Sequence, residues 1–344
     1  MQRVADREAV AETGADGRSF ARPRVFIPDP IHVDGVARLA ERFVVDQPSA
    51  GDGDARHRRF AEADAVIVRN IAVDRTVLDA APRLKVIAKH GAGVDNIDVA
   101  AATARGIVVA NIPGGNADAV AEATVALMLA ALRRVPEVHR LVVNGGYAAR
   151  FAMQFGQLFG RTLGLVGIGN IGARVAQICA AGFRMRVLAY DPGLSAAAIA
   201  KRGADKVDDL ASLLATADVV SLHLPLNERT RHLIGAAEIA LMKPTAILVN
   251  AARGPLVDEA ALAAALREER IAGAGLDVLE VEPPAPDNPL LALRNIVLSP
   301  HTAGNTLEAA RQLALASADI VIAALTGRKP EGLLNGEVWE RRRR

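Results

Sequence analysis

The stretch Thr162-Leu-Gly-Leu-Val-Gly-Ile-Gly-Asn-Ile-Gly172 constrains the fold of this chain more than any other. Leu163 to Val166 read as a buried parallel strand, and Asn170 to Ala181 as the helix that follows it. Between them Gly167 permits a tight turn, Gly169 lets backbone approach a ligand closely, and Gly172 lets the helix lie against the strand. The N–H groups that open such a helix, Asn170 and Ile171 among them, sit at its positive dipole end and can hold a diphosphate without a cationic side chain. Asp191 ends the next apolar run, 19 residues after Gly172. A carboxylate there accepts hydrogen bonds from ribose hydroxyls and repels a 2′-phosphate, so the pattern points to NAD rather than NADP. A glycine pattern alone is weak, but strand before, helix after and acid beyond make it specific.

Short apolar runs alternate with Ala/Leu-rich stretches nearly throughout, the pattern of parallel βα units. Before the glycine turn, Val25 to Ile27, Ala65 to Val68, Val86 to Ala88 and Ile107 to Ala110 predict strands, with helices from about Asp34, Asp74 and Asp98. The Pro/Gly-rich run Asn111-Ile-Pro-Gly-Gly-Asn116 breaks this pattern before a long helix over 117–133. A second sheet is expected from Leu163, Val187 to Ala189, Val219 to Leu222, Ile247 to Val249, Gly273 to Leu276 and Ile296 to Leu298. The last helix, about Leu307 to Leu325, has no strand left there and is expected to return to the first domain. The expectation is an α/β chain of two doubly wound parallel sheets, a Rossmann domain (116–304) inserted into a discontinuous flavodoxin-like domain (22–115 and 305–335). An N-terminal extension (1–21) and a tail (336–344) flank them, and hinges are expected near Pro113 to Asn116 and Asn305 to Thr306.

A length of 344 residues supports two cores, and a net charge of +2 gives no electrostatic surface for nucleic acid or an anionic membrane. Arg341 to Arg344 read as a solvated tail. The single Cys179 falls on the apolar side of its helix; it excludes an internal disulfide and fits a reducing cytoplasm. The first 21 residues are charged and lack an apolar run, so they read as a flexible extension rather than a secretory signal. The apolar stretches Ala117 to Leu132 and Leu313 to Leu325 contain Glu122 and Asp319 and fall short of the ~20 residues of a membrane span. No metal is expected, because the cysteine is alone and the histidines lack ligand spacing.

Three later segments share one design, an apolar strand followed by a residue able to do chemistry at its carboxyl end, where open α/β sheets bind ligands. Ile247-Leu-Val-Asn-Ala-Ala-Arg253-Gly-Pro delivers a guanidinium, which matches a carboxylate by two parallel hydrogen bonds; by itself it is equally a surface arginine in a turn. Gly273-Ala-Gly-Leu-Asp277-Val-Leu-Glu280-Val-Glu282-Pro-Pro delivers carboxylates. Asp277 can accept from a nicotinamide carboxamide, Glu282 can orient a partner, and Glu280 reads as solvated. Ile296-Val-Leu-Ser-Pro-His301-Thr-Ala-Gly304 delivers an imidazole, which exchanges protons near neutral pH.

In that order, behind a dinucleotide fold, these segments resemble the D-isomer-specific 2-hydroxyacid dehydrogenases, over roughly residues 22 to 335. The resemblance implies that Arg253 binds the substrate carboxylate, that His301 is the acid/base and that Glu282 pairs with it. It implies NAD as cofactor and reversible hydride transfer with a small 2-oxo or 2-hydroxy acid. Ala251, Asp277, His301 and Gly304 are assigned to the cofactor surface, as are His223 and Pro225 of a segment that resembles one flanking the adenosine.

Lys89-His-Gly-Ala-Gly-Val-Asp-Asn-Ile-Asp98 resembles the family's substrate loop, with Ala92, Gly93 and Val94 as backbone donors and Arg69 nearby. Lys89, His90 and Arg69 leave open whether the substrate carries a further anionic group. A homodimer through the NAD-binding domain is implied as well. The competing class is an NAD-sensing scaffold or corepressor of the same fold, which would retain the same three residues.

Overall fold

The computed structural model describes residues 22–48 and 55–343, so the expected extension 1–21 lies outside the described residues. The chain divides into two compact units, one running up to Asn116 and resuming at Leu307, the other Ala117–Thr306.

The first unit holds five strands, β1 (Arg24–Phe26), β2 (Val44–Asp46), β3 (Ala65–Val68), β4 (Val86–Lys89) and β5 (Val108–Ala110). They form one parallel sheet in the order β2-β1-β3-β4-β5, the flavodoxin-like order. Side chains alternate across it. Val25, Ile27, Ile67 and Ala88 face a core with Ala318 and Val321 of the helix Leu307–Leu325, while Phe26, Val66, Val68 and Ile87 face the opposite core. That last helix lies on β3 and β4 and against the helix Val33–Ala40. Asp74 and Asp98 cap the helices that follow them by accepting from the N–H groups of Val77 and Ala101.

The C-terminal segment corrects the expectation of a solvated tail. Asn335 accepts from Val109 N–H at 2.9 Å, a 3-10 helix spans Gly336–Arg341, and Val338 is buried. Arg342 stacks 3.7 Å over the Trp339 ring, and Arg343 donates to the carbonyls of Ala81, Pro82 and Leu84, each at 3.1 Å. The Ala81 carbonyl also accepts from Leu84 N–H, and contacts made with carbonyls more than 250 residues away are not registered by charge counting along the tail. Arg344 lies outside the described residues.

The second unit holds β6 (Thr162–Val166), β7 (Arg186–Tyr190), β8 (Asp205–Lys206), β9 (Val219–Leu222), β10 (Ile247–Asn250), β11 (Gly273–Leu276) and β12 (Ile296–Leu298). The sheet is parallel, ordered β12-β11-β10-β9-β6-β7-β8, so strand order reverses at β6. This is the dinucleotide-fold order with one further strand, and its switch point lies where the glycine turn leaves β6. Helices Ala117–Leu132 and Asn170–Phe183 cover one face; Leu210–Thr216, Ala236–Leu241 and Glu259–Arg267 cover the other. Cys179 is buried in the first of these cores, and burial pushes its thiol up to about 12. No described helix is long and apolar enough to cross a membrane.

Sequence reading missed β2, β8 and the helix Ala55–Glu62. The two strands are sheet edges of three and two residues, half-buried or exposed, and an edge needs no apolar alternation.

Candidate active site

The glycine turn is shaped by contact on two sides and open on the third. Gly167 has φ +87°, and a Cβ there would lie 2.6 Å from the His223 carbonyl oxygen; one at Gly172 would lie 2.7 Å from the Gly167 carbonyl oxygen. At Gly169 a Cβ would meet nothing within 4 Å. The turn is therefore closed against β9 and its own helix but leaves a bare cradle at Gly169, where the helix Asn170–Phe183 begins with no side-chain cap. That arrangement fits an anionic diphosphate. Asn170 is exposed at the helix start and Ile171 is half-buried against the core. Asp191 accepts from Ile168 N–H at 3.2 Å and from Gly193 N–H at 3.1 Å, which fixes its carboxylate beside the turn. The residues fit a nicotinamide dinucleotide.

His223 directly follows β9. Its Nε2 lies 2.9 Å from Ser221 Oγ, its Nδ1 is buried without a partner, and burial pushes the ring down to about 4. Pro225, exposed, accepts from Thr230 Oγ1.

Adjacent strands β10, β11 and β12, in register at Asn250, Leu276 and Leu298, send Arg253, Glu282 and His301 out from one edge of the sheet. Asn250 shapes the first turn, accepting from Ala252 N–H and donating to the Arg253 carbonyl. Arg253 is half-buried and donates to the Ala252 carbonyl at 2.7 Å; Ala251 beside it is buried. Glu282 Oε2 lies 2.7 Å from His301 Nδ1, and its Oε1 accepts from Leu279 N–H at 3.0 Å. The two side chains keep 38% and 53% of their surface exposed, so the pair is aimed at solvent while held together. His301 sits at φ +54°, a conformation few non-glycine residues adopt.

The hold on that residue comes from Asp277, only 2% exposed. Its carboxylate accepts from Ser299 Oγ, Thr302 N–H and Ala303 N–H, and its carbonyl accepts from His301 N–H at 2.7 Å. Asp277, which the sequence suggested for a cofactor amide, also braces the histidine loop, which ends at half-buried Gly304. Glu280 is not simply solvated, as expected, but pairs with the His232 ring. Loop curvature brings together two side chains 48 residues apart, which no local pattern reveals.

In the first unit the segment after β4 presents Ala92, exposed, and Gly93 and Val94, half-buried. The Ala92 carbonyl accepts from Asn111 Nδ2. Arg69 donates to the Pro30 carbonyl at 3.3 Å. Lys89 and His90 turn inward: Lys89 Nζ donates to the Arg69 carbonyl and to Asn96 Oδ1, and the His90 ring is buried and pushed down to about 4 by desolvation and the charge of Arg69.

Residues 125–303 match the family model for the NAD binding domain of D-isomer specific 2-hydroxyacid dehydrogenases. A glyoxylate reductase of Korarchaeum cryptofilum is 42% identical over 324 residues, covering 92% of this chain and 97% of that protein. The chain belongs to the D-isomer specific 2-hydroxyacid dehydrogenases. A D-3-phosphoglycerate dehydrogenase of Methanocaldococcus jannaschii is 40% identical over 91% of this chain, which spans 59% of that relative's length. Among solved structures, an NADPH-dependent glyoxylate/hydroxypyruvate reductase from Sinorhizobium meliloti, in complex with NADP and malonate, superposes with a TM-score of 0.82 at 29% identity, covering 94% of this chain and 99% of that one. These likenesses support the enzymatic reading over a scaffold.

Around this site, sequence reasoning overlooked Asn250, Ser299, Glu259 and His232. Asn250 had a signal, since an asparagine between a strand and a turn commonly closes its own turn. The others had none, because their partners lie 22, 21 and 48 residues away.

Proposed function

We propose that this chain reduces a small, non-phosphorylated 2-oxo acid of the glyoxylate or hydroxypyruvate type with NADH, reversibly. The observation that carries this reading is the half-exposed His301–Glu282 pair, 2.7 Å apart, on the strand edge that also presents Arg253. When bound, the nicotinamide supplies the hydride. Arg253 holds the substrate carboxylate by paired hydrogen bonds and draws charge from the neighbouring carbonyl. His301 delivers a proton to the developing alkoxide from Nε2, since Nδ1 is committed to Glu282. Glu282 orients the ring through that contact. Asp277 keeps the left-handed turn from relaxing, and Ala92, Gly93 and Val94 offer backbone donors.

Asp191 supports a preference for NAD over NADP, because its carboxylate is locked beside the turn. The inward direction of Lys89 and the burial of His90 disfavour a substrate with a second anionic group. Val135, Val142, Val143, Tyr147, Phe151 and Phe159 stay exposed on one segment of the second unit, an apolar surface that suits a homodimer through this domain. The lone buried cysteine fits a cytoplasmic enzyme.

The test is a panel of glyoxylate, hydroxypyruvate, phosphohydroxypyruvate and 3-sulfopyruvate, each assayed with NADH and NADPH by absorbance loss. The first two with NADH are expected to give the highest kcat/KM. No turnover on any of them sinks the dehydrogenase reading, and a clear preference for the phosphorylated acid sinks the substrate class.

A further inference from the structure

Glu259 carries a charge that the reaction, as proposed, leaves unused. It opens the helix Glu259–Arg267 and is only 8% exposed. A carboxylate at that depth requires partners. Its own helix does not need it, because Asp258 is the cap and accepts from Ala261 N–H. Instead Oε1 accepts from Glu280 N–H at 2.5 Å, and Oε2 accepts from Asn288 Nδ2 at 2.8 Å. These donors stand at the two ends of segment 280–288, so one carboxylate closes the base of the loop that carries Glu282.

The adjoining peptide links this anchor to the site. Leu279 N–H donates to Glu282 Oε1, so consecutive backbone N–H groups go one to Glu282 and the next to Glu259. Rotation of that stretch loosens both bonds together. The same stretch presses on the arginine turn: a Cβ at Gly254 would lie 1.9 Å from the Leu279 carbonyl oxygen and 2.5 Å from Glu280 N. His232 adds a third tie, its N–H donating to the Pro255 carbonyl at 2.7 Å and its ring pairing with the Glu280 carboxylate.

We propose that Glu259 is a positioning residue: by holding both ends of segment 280–288 it sets the angle at which Glu282 meets His301 and keeps that loop in register with the Arg253 turn. It touches no reactant. The inference rests on the dehydrogenase reading and adds to it the anchor on which the acid/base pair depends.

The test uses the full chain with NADH and whichever 2-oxo acid it reduces best. Glu259→Gln keeps an acceptor for Glu280 N–H but turns an amide donor toward Asn288, Glu259→Asp keeps the charge but is one methylene short, and Glu259→Ala loses both bonds. The expected order of kcat is wild type, then Gln and Asp, then Ala, with Ala down by about 10-fold or more, the consequence of leaving buried donors unpaired. The NMR resonances of the His301 ring are expected to shift, because the Glu282 carboxylate 2.7 Å from Nδ1 is displaced. Added to Glu282→Gln, Glu259→Gln should cost less than about 2-fold more, since the two act through one chain of contacts.

A merely structural role would lower stability, leave the His301 ring resonances in place and multiply with Glu282→Gln; that outcome overturns the proposal. Should the alanine variant fail to fold, Gln and Asp decide, and a wild-type kcat with unmoved ring resonances in both overturns it. These resonances read the displacement without turnover, by comparison of wild type with Glu259→Gln. An inactive wild type would therefore defeat the dehydrogenase reading alone, while unmoved His301 resonances would defeat this one.

Discussion

Each sheet delivers a histidine at its carboxyl edge, and the two acquire opposite chemistry. His90 directly follows β4, is buried, and is held neutral to about pH 4 by desolvation and by Arg69. His301 follows β12 by three residues, keeps half its ring exposed, and has a carboxylate 2.7 Å from Nδ1. Position relative to a strand is the same in kind; what lies over the ring is not. A strand end brings a side chain to a ligand-binding edge, but exposure and a charged partner decide whether it can exchange a proton there. The backbone reflects the same division. Around His301, Asp277 organises three donors to keep a left-handed turn, whereas His90 continues the ladder of its sheet, its N–H paired with the Val68 carbonyl.

The contrast can be broken most directly at His301. Replacing it with alanine should lower kcat by about 10²–10⁴-fold, the range for loss of a general acid, while NADH binding measured by fluorescence stays near wild type. Unchanged turnover would place the two histidines on the same footing.

His90 offers the next largest effect, on stability. Its folded value of about 4 lies below the 6.5 of an unfolded histidine, so between those values the unfolded chain holds more protons and acid favours unfolding. Stability present at pH 7 is lost as pH falls below about 6.5 and levels off below about 4, by up to roughly 3 kcal/mol. His223, also lowered to about 4, adds a loss of the same sign. Urea midpoints between pH 7 and 4 check this, and His90→Gln should flatten the slope without abolishing it. A slope identical in the variant would mean that burial of His90 is not what sets its protonation.

The smallest effect sharpens the view of the second edge. Gly169→Ala meets open space and should leave the thermal midpoint of the cofactor-free protein unchanged, yet raise the Kd for NADH about 10-fold by filling the cradle. Gly172→Ala, facing a carbonyl oxygen at 2.7 Å, should instead lower the midpoint itself.

Much of this was legible in the chain. The glycine turn, Asp191 and most interior strands are local patterns, because a buried strand must be apolar and a tight turn must lack Cβ. Arg253 and His301 were legible as residues able to act at strand ends, and Glu282 as one of two acids in its loop. The choice between Glu282 and Glu280 is a matter of loop geometry: one meets His301 and the other meets His232. The tail and the edge strands were misread or missed because their partners are carbonyls and neighbouring strands distant in sequence.

The amino-acid sequence by itself determined two parallel sheets, a dinucleotide turn at the switch point of the second, and the identity of the side chains leaving its carboxyl edge, all consequences of short-range sterics and apolar periodicity. Tertiary structure alone decided which of those side chains are aimed outward, which are turned in as braces, and that a buried Glu259 fastens the loop of the acid. Such choices depend on hydrogen bonds and desolvation between segments 20 to 50 residues apart, and those exist only once the chain has closed on itself.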